Sequence, residues 1–339
     1  MKYALVDTAN TFFRARYVAS RNADAWQKLG MALHLSLASV NQVVRKHGID
    51  HVVFCLEGRS WRKDFYKPYK ANRAVDETAM TDAEIEENKM FWETYELFTT
   101  FLREKTNCSV IRHPTAEADD IIARFVNLHP NDEHIIVSSD TDFIQLISEN
   151  VKQYNGITNQ LITLDGYYDD RDRPVIDKKT KQHKTLGDPQ FILFEKCMRG
   201  DATDNVFSAY PGVRTKGSKN KVGLTEAYAD RDRKGFNYNN IMLQRWTDHN
   251  GLEHRVRDDY ERNVTLIDLT AQPEEIRNLV DKTIQDTVKL DHVPQVGIHF
   301  MKFCGKYELT KIDSQYNFTT TMNLLYSGEN HFEALERRH

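Results

Sequence analysis

The chain has 339 residues, 40% hydrophobic and 28% charged, with four cysteines and a net charge of −4. That balance excludes a disordered or fibrous chain and builds one large domain with appended parts, or two domains. No apolar run approaches the roughly 20 residues of a membrane span, and Met1 to Asp7 turns acidic too early for a signal peptide, so the expected compartment is the cytoplasm, without membrane attachment. Cys55, Cys108, Cys197 and Cys304 are scattered without paired metal spacing, which predicts reduced, buried thiols.

Tyr3-Ala4-Leu5-Val6 reads as a buried first strand ending at Asp7, with Asn10 three residues on. From about Trp26 to His47, Met31, Leu35, Val40, Val43 and Val44 mark an amphipathic helix closed by Gly48. His51 to Leu56 is a second strand, ended by Glu57-Gly58. Strand, long helix, strand predicts a βαβ unit and a parallel sheet, with Asp7 and Glu57 at the same edge.

Arg59 to Arg73 then carries six basic side chains against one acid, with four aromatics among them. Cations neutralise phosphates and rings stack on bases, so the stretch suits a nucleic-acid strand; a solvated basic face is the plainer alternative. Thr81-Asp82-Ala83-Glu84 is a capping box opening a long helix with Ile85, Phe91, Trp92, Tyr95, Phe98 and Leu102 on its apolar side, before a strand at Cys108 to Ile111. The excursion from about Gly58 to Asn107 replaces an ordinary crossover, as lids and substrate-binding elements do.

Glu117-Ala118-Asp119-Asp120 precedes the apolar helical face of Ile121 to Val126, which puts these acids in a helix's first turn. His134 to Val137 is a short buried strand, and Ser138-Ser139-Asp140-Thr141-Asp142 follows at its C-terminal end, where open α/β sheets place ligands. Carboxylates gathered there repel one another unless a cation lies between them, and hard divalent metals with oxygen ligands are the usual solution. Singly, each cluster reads equally as acids favoured by a helix N-terminus or as an Asp-rich turn.

Phe143 to Ile147 begins a further helix, Val151 to Tyr154 and Leu161 to Leu164 read as edge strands joined around Gly156, and Asp165 to Asp188 as an exposed loop. Asp188-Pro189 starts a helix ended by Gly200, followed by a third acidic pair in Gly200-Asp201-Ala202-Thr203-Asp204-Asn205. Arg214, Lys216, Lys219 and Lys221 lie among glycines before Leu224 to Tyr228, a turn whose amides and lysines suit a phosphate. From about Asn239 onward the chain reads as helical, in segments at Ile241 to Trp246, Tyr260 to Leu269, from Pro273, Val296 to Leu309 and Tyr316 to Tyr326, a packing layer or partner surface. Setting aside the nine candidate acids leaves 41 against 46 Lys and Arg, so the remaining surface is basic despite the net charge.

The ordered set of Asp7, Glu57, Glu-Ala-Asp-Asp, Ser-Ser-Asp-Thr-Asp and Gly-Asp-Ala-Thr-Asp-Asn, with Tyr69-Lys70-Ala71-Asn72-Arg73 between, resembles the 5′-nuclease or flap endonuclease family, most of all its bacteriophage 5′-to-3′ exonuclease members of phage ribonuclease H type. The resemblance covers about residues 1 to 230. It implies an α/β fold with a central, mostly parallel sheet flanked by helices, a PIN-like core, a helical arch, a helix-three-turn-helix subdomain and a helical C-terminal part. Expected boundaries are a nuclease core at 1–187 with the arch insertion at 58–107, a DNA-binding region at 188–270, and C-terminal helices at 271–339.

By position the resemblance matches Asp7, Glu57, Glu117, Asp119, Asp120 and Asp140 to the tighter metal site, and Asp142, Asp201 and Asp204 to a second. It matches Lys70 and Arg73 to catalytic gateway cations and Tyr69 to a stacking tyrosine; the basic stretches themselves add Arg62, Lys63, Lys67, Arg214, Lys216, Lys219 and Lys221 as expected DNA contacts. Two departures stand out: Glu57 occupies a position where Asp is usual, and Arg214 to Val222 reads as an insertion in the family's glycine turn. Implied cofactors are two Mg²⁺ ions, with Mn²⁺ as substitute, and a monovalent cation at the helix-three-turn-helix. Implied partners are branched or 5′-tailed duplex DNA, RNA-DNA hybrid and a single-stranded-DNA-binding protein, for a monomer that removes RNA primers or 5′ flaps. The alternatives are a PIN-type ribonuclease and a structure-specific DNA-binding protein without catalysis.

Overall fold

Tyr3-Ala4-Leu5-Val6 is an uninterrupted apolar run, and in a sheet covered on both faces such a run belongs at the centre. The computed structural model, which describes residues 1–14, 24–73, 80–288, 292–309, 321, 325 and 326, places it there. Strand β1 (Lys2–Asp7) lies between β2 (His51–Leu56) and β4 (Glu133–Val137), parallel to both, with Val6 opposite Phe54 on one side and Val137 on the other. Strand β3 (Ser109–Arg112) pairs parallel with β2, and β5 (Val151–Asn155) with β4. Strands β6 (Gln160–Thr163) and β7 (Gly166–Tyr168) add antiparallel pairs, giving the order β3-β2-β1-β4-β5-β6-β7. The chain runs outward from β1 to β3 and then returns to the other side of β1, so the β1–β4 boundary is the reversal point at which such sheets bind ligands.

By packing, the chain divides into two units, one of residues 1–59, 80–186 and 277–339, the other of residues 60–79 and 187–276. In the first, α1 (Thr8–Phe13) follows β1 directly, and α2 (Ala25–His47) runs from Asp24, which accepts from the Gln27 amide, to Gly48 at φ 62. Helix α4 (Asp82–Lys105) opens with both bonds of the Thr81–Glu84 capping box. Phe12, Phe54, Phe91, Tyr95 and Phe98 are buried together, and Phe101 stacks at 4.2 Å on Phe303 of α11 (Val296–Lys306). Helix α5 (Ala118–Leu128) is tied to α10 (Glu274–Thr287) by Arg124, whose two nitrogens lie 2.7 and 2.6 Å from the Asp281 carboxylate. All four cysteines are buried and none is in a disulfide, in line with the expected reduced thiols.

The second unit holds α3 (Arg62–Phe65), α6 (Pro189–Arg199) capped by Asp188, α7 (Leu224–Ala229), α8 (Phe236–Met242) and α9 (Val256–Ile267) around Phe194, Met198, Leu224, Ile241, Met242 and Val256. Gly200 ends α6 at φ 77, and a side chain there would sit 2.3 Å from the Val206 carbonyl, so only glycine turns the chain.

Several expectations need correction. Ile85 and Trp92 are exposed on α4 rather than buried, because the packed stripe follows Phe91, Tyr95, Phe98 and Leu102 instead. Thr141–Leu146 is a 3₁₀ helix, and β5 is an interior strand because β6 and β7 extend the sheet beyond it. The 239–269 stretch is not all helical: β8 (Arg245–Thr247) and β9 (Glu253–Arg255) form a hairpin, with the Asp248 carboxylate accepting from the Asn250 and Leu252 amides and Trp246 stacked at 4.3 Å on His254. Asp248 and Gly251 carried that turn signal. The last expected helix, Tyr316 to Tyr326, lies mostly outside the described residues.

His134 on β4 is buried, stacks on Tyr3 at 5.7 Å and places Nε2 2.9 Å from the His129 carbonyl, while Nδ1 has no hydrogen-bond partner among the described residues. Burial holds its pKa below the ordinary value, a tendency that the His129 carbonyl opposes. The unfolded chain therefore takes up this proton first, at about pH 6.5. Stability should be full above that pH and fall as pH drops toward the lowered folded value. Urea midpoints of the His134→Phe variant between about pH 7 and pH 5 should decline less steeply than those of the parent.

Candidate active site

Asp7 closes β1, is almost fully buried, and caps α1 by accepting from the Asn10 amide at 3.2 Å. Its other oxygen accepts from the Ser138 hydroxyl at 2.8 Å, which joins the ends of β1 and β4. Asn10 then reaches the same loop, its Oδ1 accepting from the Ser139 amide at 3.0 Å and hydroxyl at 2.9 Å. Within the loop, the Asp140 amide donates to Ser138 Oγ at 3.1 Å and the Asp142 amide to Asp140 Oδ1 at 2.9 Å. The hydroxyl and amide side chains thus hold Asp7 and the loop that carries Asp140 and Asp142.

Glu57 follows β2 and accepts at 3.3 Å from the amide of Ala118, the first residue of α5, where the helix dipole favours a carboxylate. Gly58 is required beside it: its amide donates to the Ala116 carbonyl at 2.9 Å, and a side chain would meet the His113 carbonyl at 2.0 Å and that of Ala116 at 2.7 Å. In the first turn of α5, Asp120 is fully buried and accepts from the Glu117 amide at 3.0 Å, Glu117 is buried, and Asp119 is half-buried. Asp7 pairs in register with Cys55 of β2, and Val6 with Val137 of β4. At about 4.8 Å between strands, Asp7, Glu57 and the Ser138–Asp142 loop leave three neighbouring strand ends at one edge.

Two buried neighbours register the field. Burial pushes the Cys55 thiol up, and the charges of Asp7 and Asp119 push it further. Burial also raises the Tyr95 hydroxyl, reinforced by Glu57 and Asp7 and opposed by Arg112. The donors are carboxylate oxygens, a set that fits a hard divalent cation and not a thiolate-bound metal. Among the described residues no three acidic, histidine or cysteine side chains stand close enough together to hold a metal ion; the carboxylates turn to amides and hydroxyls instead.

In the second unit the Tyr69–Arg73 and Asp201–Asn205 segments meet. Asp204 receives Arg73 Nη2 at 3.1 Å on one oxygen, and the Tyr69 hydroxyl at 3.1 Å and Lys70 Nζ at 3.6 Å on the other. The Lys70 amide donates to the Asp204 carbonyl at 2.8 Å, and Asn205 Nδ2 to the Pro68 carbonyl at 2.7 Å. Asp201 pairs with Lys196 at 2.7 Å; burial alone would raise its carboxyl, but Lys196 and the Thr203 and Asp204 amides hold it below the ordinary range.

Two expected DNA contacts are corrected. Arg62 is fully buried, with Nε donating to the Leu266 carbonyl at 2.8 Å and the guanidinium 4.6 Å from the Trp61 ring, so it is a core residue. Tyr69 is buried too, its hydroxyl held by Asp204, which leaves its ring no open face for stacking on a base. Lys63, Lys67, Arg214, Lys216, Lys219 and Lys221 are exposed. The glycine turn does not present its amides outward: those of Gly217 and Gly223 donate at 3.0 and 2.9 Å to the Glu226 carboxylate, which occupies the place of an external anion. Sequence reasoning assigned no role to Asn10 or Ser138. The signal was a polar residue one helical turn past Asp7 and a serine directly beyond a buried strand.

The family model described as 5′-3′ exonuclease, N-terminal resolvase-like domain, matches residues 2–178. Similar proteins include a DNA polymerase I of Rhizobium leguminosarum, 27% identical over 77% of this chain and 22% of that one, and a 5′-3′ exonuclease of Mycoplasmopsis pulmonis, 25% identical over 65% of each. The chain thus spans less than two thirds of the length of these relatives. A flap endonuclease Xni of Shewanella loihica is 28% identical over 58% of this chain and 70% of that one. Among solved structures, the T5 5′-exonuclease with divalent metal ions (zinc) bound has TM-score 0.58 at 17% identity, covering 85% of this chain and all of the other, a likeness of fold.

The clash at Gly58 gives a direct test of how Glu57 is held. Gly58→Ala should destabilise the fold by about 1–3 kcal/mol, read as a lower urea midpoint with an unchanged slope.

Proposed function

The chain belongs to the 5′-3′ exonuclease family, and from that premise we propose that it is a divalent-metal-dependent 5′-nuclease. It hydrolyses phosphodiesters near the 5′ end of one strand in 5′-tailed or branched duplex DNA and in RNA-DNA hybrids. The observation that supports this most is the gathering of acids from three adjacent strand ends and the first turn of α5, all within the family-matched residues.

Asp7, Glu57, Glu117, Asp119, Asp120, Asp140 and Asp142 would hold the metal, and Asp201 and Asp204 are proposed for a second ion, in exchange for their lysine and arginine partners. Bound Mg²⁺, or Mn²⁺ as substitute, supplies Lewis acidity and lowers the pKa of water. The protein's own part is to orient the acids through Ser138, Asn10 and the Glu117 and Ala118 amides. Lys70 and Arg73, parked on Asp204, are the cations proposed to offset charge on the scissile phosphate. The exposed Lys63, Lys67, Arg214, Lys216, Lys219 and Lys221 suit backbone phosphates.

The same reading extends to primer or flap removal during lagging-strand replication in a bacterial cytoplasm, phage-encoded or not, by a monomer working beside a single-stranded-DNA-binding protein. It includes a monovalent cation at the 211–223 turn. No helix among the described residues is long and apolar enough to cross a membrane.

A 5′-labelled flap duplex should be cut with Mg²⁺ and left intact with EDTA. Asp140→Asn should lower the rate by at least about 100-fold while leaving duplex binding in place; tight binding without cleavage by the parent would instead favour a silent DNA-binding protein. Lys70→Ala should slow single-turnover cleavage by roughly 100-fold and change duplex affinity far less; an unchanged rate removes Lys70 from the chemistry.

A further inference from the structure

Gln153 stands on β5 where an apolar residue is expected. It is 1% exposed, and its register partners on the same sheet face are Ile136 of β4 and Ile162 of β6, both buried. Its Nε2 donates to the Ser138 carbonyl at 3.0 Å and also to the Asp140 carbonyl, so both amide hydrogens are used on the loop that carries Asp140 and Asp142. Its Oε1 is buried with no hydrogen-bond partner among the described residues. A strand chosen for stability alone has no reason to bury an amide with an unmet acceptor between two isoleucines.

The loop needs such a grip from this side. Ser138 Oγ and Asn10 hold it from the β1 side through Asp7 Oδ2 and through the Ser139 amide and hydroxyl. Neither bond touches the Asp140 carbonyl, and the Ser138 amide bond to the Tyr154 carbonyl, at 3.2 Å, stops short of Asp140. Gln153 supplies the missing contact, spanning the bend between Ser138 and Asp140 with one side chain. We propose that Gln153 is a positioning residue for metal binding: it fixes the backbone of Asp140 so that the carboxylates of Asp140 and Asp142 are presented together to a divalent cation. The inference rests on the nuclease reading and adds to it a residue that contacts neither metal nor DNA.

Gln153→Met keeps length and apolar packing but removes both donors, and its thermal melting reports whether the strand is intact. Mn²⁺ binding is measured on the full chain without DNA, by calorimetry or electron paramagnetic resonance, alongside flap-duplex binding in EDTA and single-turnover cleavage across Mg²⁺ concentrations. The dissociation constant for Mn²⁺ should rise about 10–100-fold in the variant, with EDTA-state duplex binding unchanged and cleavage recovering as Mg²⁺ is raised. Gln153→Asn, polar but one methylene too short to reach both carbonyls, should show the same weakening and carries the test if the Met variant does not fold. A folded variant whose Mn²⁺ affinity matches the parent, with only its melting temperature lowered, overturns the proposal and leaves Gln153 a packing residue. A parent that neither binds Mn²⁺ nor cleaves overturns the nuclease reading itself, and the inference with it.

Discussion

Carboxylates brought to one edge of a parallel sheet repel one another, and holding them there against that repulsion shapes the first unit of this protein. Three neighbouring strands end in acids or acid-bearing loops because β1 is central and the chain reverses beside it. Three of the acids have a neutral donor that orients them: a serine hydroxyl for Asp7, a helix-terminal amide for Glu57, the Glu117 amide for Asp120. Neutral donors of this kind orient charge and leave it available. Burial raises the Cys55 thiol and the Tyr95 hydroxyl, and the nearby carboxylates push both further.

Local backbone chemistry makes the arrangement possible. Gly58 lets the chain pass within van der Waals distance of the His113–Ala116 carbonyls, so Glu57 is delivered to the start of α5. Helix α5 is in turn tethered by the paired nitrogens of Arg124 to Asp281, in a C-terminal helix outside the family-matched residues. A part of the chain with no chemical motif thereby fixes the helix that carries three of the acids.

The second unit holds a pair of acids of its own. Asp201 and Asp204 face Lys196, Lys70 and Arg73, so their charge is met by protein cations. The basic aromatic stretch is split by the same packing: Arg62 and Tyr69 go into the core, Lys63 and Lys67 stay outside, and Lys70 and Arg73 turn to Asp204. Alternating basic and aromatic residues look uniform in sequence, yet one short helix buries some and exposes others. In the glycine turn, Glu226 three residues beyond Gly223 takes the amides that sequence reasoning offered to phosphate.

The sequence by itself determined the parallel sheet, the capped helices and the identity of the acidic clusters. Those features are local: a β-branched run, a capping box or an acid before an apolar helical face reads the same wherever it is placed. It also carried the family membership, since order along the chain survives where geometry is not visible. Only tertiary structure decided which side chains serve the acids, because Asn10, Ser138 and Gln153 meet across strands that are distant in sequence. It decided as well that Arg62 is a core residue and that Lys70 and Arg73 share Asp204. Burial and ion pairing depend on what the rest of the chain brings alongside, and no window of neighbouring residues contains that information.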